Sequence, residues 1–557
     1  MPAKQLKFDD AARDALLRGA SQVAAVVRPT LGPRGRAVVL DRKYGSPQVS
    51  NDGATILRDI ELPDHFENMG AQLLAEASKR TNDRAGDGTT TAALLAEEML
   101  REGLRMLQSG ASPAGVKRGI DLAVAAVMAD LDRQSRPLRG RADIDQVATI
   151  SSGSPEVGAM IADAMERVTA NGVITVEESS GLETEIEVVE GMQFDRGWVS
   201  PYLVTDQHSM EAILDEPLIL VTSRKVSAVK DLLPALELAV SSARPLLLVA
   251  EDLEGEALAT LVVNKMRGTV SACAVKAPGF GDRRTALLQD LAAVTGAQVI
   301  SDELGLTLEG VRQDQLGSAR RVVVTKDDTT VVDGRGSQAA VQERVKEIDH
   351  QLEETESDWD REKLQERKAR LVGGVAVIRV GAPTETALKE RKERVEDALE
   401  ATRAAVEEGV LPGGGRSLLQ ARKVLEQLGS DDDERAGVRV IRRALEQPLR
   451  QLAANAGAEG GTVVERVAGM GPTEGFDVDQ LRYGDLFEMG IIDPTKVVKV
   501  SLESAASVAA LLLTTQALIA DRPEPQESAL PPGGDGMGGM GGMGGMGGMD
   551  GMDDMDF

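Results

Sequence analysis

The sequence GDGTTT, Gly86 to Thr91, stands directly before a helical pattern that continues to Leu107. We expect the helix to begin at Ala92, so that the threonine hydroxyls and the first backbone N–H groups lie at a helix N-terminus, which favours anions. The glycines let the backbone approach a phosphate closely, and Asp87 offers an oxygen ligand of the kind that Mg²⁺ prefers. An N-cap with turn glycines is the simpler alternative, but three consecutive threonines behind an aspartate favour a phosphate site.

This phosphate site is not a P-loop, because the sequence has no Gly-Lys dipeptide and therefore no Walker lysine. Two further glycine turns are candidates for the rest of a phosphate cradle: TLGP at Thr30 to Pro33 and NDG at Asn51 to Gly53. Either turn taken alone is more often an ordinary turn.

Another glycine cluster, AAVEEGVLPGGG at residues 404–415, follows a helix that we expect to end at Gly409. Three adjacent glycines cost conformational entropy on folding, so they suit a place where the backbone passes beside a ligand. A flexible loop is the alternative. The segment RVEDAL just before it places Asp397 on the helix.

Length and composition exclude several classes of protein. At a soft prior of about one domain per 150 residues, the 557 residues correspond to three or four domains. The net charge of −27 argues against a protein that binds the nucleic-acid backbone. An aromatic content of 2% argues against base stacking. We therefore expect no nucleic-acid partner.

Cysteine usage and hydropathy predict a cytoplasmic protein. Cys273 is the single cysteine, so no intramolecular disulfide can form, and a reducing compartment fits best. The first twenty residues mix charges of both signs and lack the apolar run of a signal peptide. The longest uncharged stretch, Ser504 to Ala520, is shorter than the ~20 apolar residues of a membrane span.

The pattern along the chain is helical, then α/β, then helical to about Asp521. In the middle, short β-rich runs such as LILVT at 218–222, LLLVA at 246–250 and RVVVTK at 321–326 alternate with helical segments, which predicts parallel strands. Residues 337–371 predict a helical hairpin. An insertion of the α/β segment into one helical domain explains this order. Residues 533–557, with methionine at every third position, predict a disordered tail.

Several motifs, in their order along the chain, resemble those of a group I chaperonin of the GroEL type. They are TLGP at 30–33, NDG at 51–53, DGTTT at 87–91, KAPGFGDRR at 276–284, RVEDAL at 394–399, AAVEEGVLPGGG at 404–415, DPTKV at 493–497 and the GGM tail. No single glycine motif is specific, but together the match is highly specific and runs from about Ala3 to the terminal repeat.

The resemblance implies an α+β multidomain fold in three parts. A mostly helical equatorial ATPase domain takes residues 1–134 and 407–532, and a small intermediate hinge domain takes 135–189 and 374–406. An α/β apical domain that binds substrate and lid, 190–373, is inserted between them, and 533–557 form the tail.

The resemblance also implies ATP, Mg²⁺ and K⁺ as cofactors, and it assigns roles to single residues. Asp87 holds Mg²⁺, Asp52 lies near the attacking water, and Asp397 positions that water for hydrolysis. The remaining nucleotide contacts are Thr30, Leu31, Gly32, Pro33, Asn51, Gly53, Gly88, Thr89, Thr90, Thr91, Gly414, Asp477 and Asp493. Asn51 and Asp477 depart from the residues that are usual in the family at these positions.

On the same grounds, the middle segment is expected to bind non-native proteins and a GroES-type lid. Apolar residues from Leu258 to Met266 spread over roughly 200° of a helix at 100° per residue, more than the ~100° stripe of one buried face. Part of that surface is therefore expected to be exposed. A helix buried on both sides fits the pattern equally well, and the resemblance favours exposure. The expected apolar rim consists of Trp198, Tyr202, Leu203, Leu233, Leu236, Leu258, Val262 and Val263. The expected assembly is a homo-oligomer of two stacked heptameric rings.

Two rival functions stay open at this point. A small-molecule phosphotransferase built on the Asp/Thr-rich loop predicts a compact substrate pocket with titratable groups. A chaperonin-like scaffold with little turnover fits the fold, although the presence of Asp87 and Asp397 argues against it.

Overall fold

The computed structural model of the chain describes residues 4–41, 47–168, 173–179, 181–189, 191–207, 209–302, 305–355 and 357–521. The predicted tail at 533–557 lies outside these residues. The fold is α+β, as expected, with helices as the main component and several separate sheets.

The first part of the chain is mostly helical. Its elements are β1 Lys4–Phe8, α1 Asp9–Val27, β2 Val38–Leu40, β3 Gln48–Ser50, α2 Gly53–Arg58, α3 His65–Ala85, α4 Thr89–Gln108, α5 Pro113–Gln134, α6 Arg141–Ser152, α7 Pro155–Arg167, β4 Val173–Glu178 and β5 Glu185–Val189.

The middle of the chain alternates strands and helices. Its elements are β6 Gly191–Phe194, β7 Ala212–Asp215, β8 Leu218–Val221, β9 Lys225–Val226, α8 Val229–Ser242, β10 Leu246–Ala250, β11 Asp252–Leu253, α9 Gly255–Met266, β12 Ala272–Lys276, α10 Gly281–Thr295, β13 Gly317–Val324, β14 Thr329–Gly334, α11 Gln338–Glu354 and α12 Asp358–Val372.

The last part returns to helices with short strands between them. Its elements are β15 Val375–Val380, α13 Glu385–Glu408, β16 Val410–Pro412, α14 Arg416–Ala421, α15 Asp432–Ala444, α16 Gln447–Asn455, α17 Gly460–Ala468, β17 Glu474–Asp477, β18 Arg482–Asp485, β19 Ile492–Pro494, α18 Thr495–Leu513 and β20 Ala517–Asp521.

The two ends of the chain build one hydrophobic core. Side chains from α1, α3, α4 and α5 pack with side chains from α15 and α18 in a single buried cluster. The antiparallel ribbon of β1 and β20 pairs Lys4 with Asp521 and Phe8 with Ala517, which joins the ends directly. This shared core is what an insertion predicts, whereas the exact domain limits proposed from the sequence stay predictions.

Close helix crossings in this core depend on glycine. A Cβ atom at Gly19 would lie 1.8 Å from the carbonyl oxygen of Glu67, and one at Gly70 would lie 2.1 Å from that of Leu16, so α1 and α3 touch through backbone. The crossing of α5 and α15 is similar, because a Cβ at Gly119 would lie 2.1 Å from the carbonyl oxygen of Glu434.

The middle segment forms its own core around a sheet in the order β12-β10-β8-β13-β14-β6, with β7 also paired to β13. Strands β8, β10 and β12 are parallel, as predicted. The prediction is wrong for RVVVTK, because β13 is antiparallel to β7, β8 and β14. The helical hairpin is confirmed as α11 and α12, with Ile348 fully buried against this core.

A smaller third core lies between the other two. Strand β15 pairs in parallel with β4 and antiparallel with β5, and α6, α7 and α13 contact one another or this sheet. The chain crosses from this part to the helical core twice, side by side. Arg136 and Val410 exchange backbone hydrogen bonds of 3.0 and 2.8 Å there, and Gly409 next to them has a φ of +80°, which disfavours a side chain.

Two expectations for the helical parts need correction. Strand β1 stands before α1, and strands β16 to β20 interrupt or follow the helices of the last third, where continuous helix was expected. These strands pair only in short two-stranded ribbons, and runs of three to five residues carry too little periodicity to be recognised in sequence. In the described part of the chain, no helix combines the length and the apolar character that a membrane span requires.

We predict that Gly119→Ala destabilises the helical core by about 1–3 kcal/mol, because the new methyl group forces α5 and α15 apart. The matched control is Gly469→Ala, at a helix end where the nearest atom to a new Cβ is 3.6 Å away and where a change within about ±0.5 kcal/mol is expected. Thermal unfolding followed by far-UV circular dichroism compares the two. Equal midpoints for both variants would contradict the close-crossing argument.

Candidate functional site

The N-terminus of α4 is an open anion site. The helix begins at Thr89, three residues before the expected Ala92, so the threonines form its first turn. Gly88 occupies the N-cap position with a φ of +83° and supplies no side chain, so no capping hydrogen bond covers the first N–H groups. Those donors, together with the positive end of the helix dipole, are available to a phosphate.

A second helix N-terminus lies against the first. Asp52 caps α2 by accepting a 2.6 Å hydrogen bond from the Thr55 backbone N–H, and its other carboxylate oxygen accepts a 3.0 Å bond from the Thr89 hydroxyl. A Cβ at Gly53 would lie 2.6 Å from the Thr90 hydroxyl oxygen. Glycine at this position therefore lets α2 and α4 approach each other.

Asp87 lies within the same site. Its carboxylate accepts hydrogen bonds from the Gly88 backbone N–H and, at 3.0 Å, from the Ser151 hydroxyl. Burial raises the pKa of Asp87 above its ordinary value, and the nearby Asp52 charge raises it further, although the two hydrogen bonds oppose the shift. When burial and a neighbouring carboxylate raise the pKa of a carboxyl group, a nearby cation would stabilise its ionised form.

Asp397 reaches this site from α13, as the sequence predicts for its helix. The residue is half-buried, and burial of its carboxyl is the main reason why its pKa lies well above the ordinary value, followed by the charges of Asp52 and Asp87. Close packing brings α13 here, since a Cβ at Gly86 would lie 2.1 Å from the Glu400 Cβ. Gly86 has a φ of +68°, so both its space and its conformation disfavour any other residue.

The glycine run at residues 413–415 lies on another side of the same site. Asp493 accepts hydrogen bonds from the backbone N–H groups of Gly414 and Gly415. Burial, and then the charge of Asp87, raise the pKa of Asp493 to about 6. The structure therefore brings together Asp493 and Asp87, which the sequence separates by most of the chain.

The TLGP turn lies beside this site and contacts it through Thr30. The Thr30 and Thr90 hydroxyl oxygens are 3.4 Å apart, and both residues are buried. A Cβ at Gly32 would lie 2.2 Å from the Leu452 side chain. Leu31 is half-buried and Pro33 is exposed.

Two predicted nucleotide contacts have less direct placements. Asn51 is exposed. Asp477 is buried, and its carboxylate accepts bonds from the N–H groups of Asp479 and Gln480 and from Arg482, at 3.0, 3.1 and 3.2 Å. These bonds hold the β17–β18 turn, so the carboxylate of Asp477 has a structural role. Thr91 is half-buried on the first turn of α4.

The sequence analysis missed Ser151 and Asn455. Ser151, on α6, bonds the Asp87 carboxylate. The Asn455 amide donates 2.9 Å bonds to the carbonyl oxygens of Arg28 and Leu31, which fixes the TLGP turn. Neither residue lies in a motif, and only tertiary contact identifies them.

The donor set fits Mg²⁺ bound together with phosphate. Among the described residues, no group of three or more acidic, histidine or cysteine side chains is close enough to hold a metal alone. Mg²⁺ commonly uses one or two carboxylates and completes its shell with water and substrate phosphates. Asp87, buried beside a helix N-terminus, suits that arrangement.

A separate surface of the middle segment exposes apolar side chains. It combines α8, α9 and the short turn Pro201–Leu203, and we call it the apolar face. The exposed fraction is 65% for Tyr202, 49% for Leu233, 44% for Val263 and 70% for Met266. Trp198, Leu258 and Val262 are half-buried beside them. The prediction that α9 exposes part of its apolar surface is confirmed, because Val263 and Met266 are exposed whereas Leu261 on the same helix is only 1% exposed.

Two residues of the predicted rim are not on the surface. Leu203 is fully buried and Leu236 is 7% exposed, so the prediction of exposed side chains is wrong for both. On the turn, Tyr202 points outward and Leu203 inward. On α8, Leu236 follows the buried Leu232 by four residues and so shares its inner face. The Lys265 ammonium donates to the carbonyl oxygens of Tyr202 and Val204, which fastens the turn to α9.

The described residues thus combine a candidate phosphate site on the helical core, which we call the nucleotide-type site, with an exposed apolar face on the middle segment. Residues 23–523 match the model of the TCP-1/cpn60 chaperonin family. Because the match covers most of the chain, the protein belongs to that family. Chaperonins assist protein folding, hydrolyse ATP and form oligomeric rings that receive client proteins.

We predict that Asp493→Asn reduces the pH dependence of stability between pH 4 and 6. The folded state keeps the Asp493 proton up to about pH 6, whereas the unfolded chain loses it near pH 4, so the free energy of unfolding falls as the pH rises through this window. In the asparagine variant this component, about 1–3 kcal/mol, is absent.

Denaturant unfolding at pH 4, 5 and 6 measures the effect, with the exposed Asp121→Asn on α5 as control. The free energy of unfolding of Asp493→Asn relative to that of the parent chain should increase with pH. For Asp121→Asn this difference should stay constant. A constant difference between parent and Asp493→Asn would contradict the assigned shift.

Proposed function

We propose that the chain is a group I chaperonin of the GroEL type, which hydrolyses ATP to drive the capture, enclosure and release of non-native proteins. The observation that carries the proposal is the convergence of Asp52, Asp87 and Asp397 at the uncapped N-terminus of α4. The GroEL type rests on the order of the motifs and on the GGM repeat in the sequence. The three-domain division with limits near 134, 189, 373 and 406 belongs to the same proposal.

In this proposal, the nucleotide phosphates lie against Gly88 to Thr91. Bound Mg²⁺, held by Asp87, would neutralise phosphate charge and orient the γ-phosphate. Asp52 orients the attacking water, and Asp397 accepts its proton. A raised pKa suits Asp397 to this role, because a general base works best when its pKa approaches the operating pH. The K⁺ requirement rests on the family resemblance alone.

The position of Asp397 on α13 couples hydrolysis to domain movement. Helix α13 ends at Glu408, and its C-cap residue Gly409 lies beside the paired crossing of Arg136 and Val410. A rotation at that crossing would move Asp397 toward or away from α4. Hydrolysis would then proceed only in the closed arrangement.

The apolar face supports a role in binding non-native chains and a lid. Exposed leucine, valine and methionine side chains attract any polypeptide that exposes its own core, with little directional preference. We propose that the mobile segment of a GroES-type lid competes for the same face.

Exposed ribbons support assembly into rings. Strands β2 and β3 form a two-stranded ribbon with Val39 65% exposed, and the β1–β20 ribbon exposes Phe8 and Ile519. Two-stranded ribbons are marginal alone and leave edges that pair with other chains. We propose two stacked heptameric rings in the cytoplasm, and we place Arg450 and Glu459 at the contact between rings.

We predict that Asp397→Asn binds ATP normally but hydrolyses it at least about 100-fold more slowly, because the general base is lost. The control is Glu390→Gln on the same helix, where the carboxylate pairs with Arg394. Phosphate release and nucleotide binding are measured separately. Normal turnover by Asp397→Asn would refute the base assignment, whereas loss of turnover in both variants would point to damage of α13.

We predict that Val263→Ser weakens capture of a denatured test protein by about three- to tenfold, since it removes exposed apolar area, and leaves basal ATP hydrolysis unchanged. Leu122→Ser on α5, which alters a 40% exposed leucine away from the apolar face, is the control. Suppression of aggregation by the denatured protein is measured at increasing chaperone concentration. Equal suppression by both variants would refute the role of the apolar face.

A further inference from the structure

A pocket rich in arginine lies at the opposite end of α4 from the nucleotide-type site. Helix α4 has 20 residues, so its ends are about 30 Å apart. The pocket has a volume of about 290 Å³. We call it the arginine pocket, and it is lined by Glu102, Met106, Arg422, Arg439, Val440, Arg442, Arg443 and Glu446.

The carboxylates of the pocket are already engaged. Glu446 is buried and pairs with Arg422 at 3.1 Å, Arg443 at 2.9 Å and Arg450 at 2.9 Å. Glu102 pairs with Arg105, outside the pocket, at 2.5 Å. Neither acidic side chain therefore remains to neutralise a further cation.

Arg439 and Arg442 add positive charge without compensation. Both are exposed on α15, and the side chain of neither forms a hydrogen bond or ion pair with any residue that the structure describes. Positive charge is concentrated here although the chain as a whole carries −27. A local excess of this sign attracts anions to the pocket.

The clustering of these arginines also lowers the stability of the folded chain. The Nε atoms of Arg422 and Arg450 are buried and have no hydrogen-bond partner. Burial lowers the pKa of Arg422, and repulsion by Arg442, Arg443 and Arg450 lowers it further, against the attraction of Glu446. The dipole of α15 favours Arg442 and Arg443 in its last turn, but this explains neither Arg439 nor the crowding around Arg422.

We propose that the arginine pocket binds a polyvalent phosphate anion at a site distinct from the nucleotide-type site. Guanidinium groups present paired N–H donors that match phosphate oxygens, and Arg422, Arg439, Arg442 and Arg443 converge on one depression. The volume suits a short phosphate chain. The phosphates belong either to free inorganic polyphosphate or to a second nucleotide, and the experiment separates these sources.

The test is calorimetric titration of the full-length assembled protein with tripolyphosphate, in a phosphate-free buffer with saturating ADP to fill the nucleotide-type site. The variant is Arg439→Gln with Arg442→Gln. The matched control is Arg435→Gln on the same helix, whose side chain is exposed, pairs with Asp432 at 3.0 Å and lies outside the pocket.

The expected result is one tripolyphosphate per chain, weakened at least tenfold in the double variant and less than twofold in Arg435→Gln. Because the double substitution removes unpaired charges, it should fold with an unchanged or higher thermal midpoint, which separates loss of binding from loss of structure.

A second titration with ADP alone identifies the source. A second ADP equivalent that the double variant loses would assign the pocket to nucleotide phosphates, and tripolyphosphate binding without it would assign the pocket to free polyphosphate. The proposal is overturned if tripolyphosphate binding and a second ADP equivalent are both absent, or if all three proteins bind equally. It is also overturned if the double variant changes only the mass of the assembly, since the arginines would then belong to a contact between copies.

Discussion

The approach of Asp397 to Asp52 and Asp87 is the interaction on which the site depends, and it is unfavourable by itself. Burial raises the pKa values of Asp87 and Asp397, and the charge of Asp52 raises them further, because ionised carboxylates repel one another. Packing elsewhere holds them near each other: α13 lies directly on Gly86, and the α2 N-terminus lies directly on Thr90. The folded chain thus holds electrostatic repulsion at a place where a cation bound together with phosphate would relieve it, as the proposed function requires.

Unpaired charge is also found at the opposite end of α4. The N-terminal end of this helix collects negative side chains around uncapped N–H groups, and the other end meets a surplus of arginine. Both ends carry charge that local pairing does not satisfy. Groups of this kind lower stability, and natural proteins retain them mainly where they serve binding or catalysis. The apolar face is also unfavourable for stability, although it carries no charge. Its residues Val263 and Met266 remain exposed where burial would be more favourable.

Much of this site could be predicted from the sequence, because glycine motifs and helix starts are local signals. GDGTTT, NDG and GVLPGGG identified the segments that meet, and the family resemblance indicated that they meet. Sequence could not predict that Asp477 is engaged by its own turn, that Ser151 reaches Asp87, or that Leu203 faces inward. Each of these depends on the direction of one side chain relative to a distant element. Strands β1 and β16 to β20 were missed for a different reason, since runs of three to five residues show no decisive period.

The shared core of the two chain ends has a consequence for biosynthesis. Helices α1, α3, α4 and α5 pack on one another, but their shared core is completed by α15 and α18, which are synthesised much later. At roughly 5–20 residues per second, the first helices wait about 20–70 s between the synthesis of α5 and that of α18. The middle segment, with its own sheet and core, can fold during that interval. The nascent helices meanwhile expose apolar surface of the kind that chaperonins bind, so the newly made chain is itself a suitable client for chaperones that are already assembled.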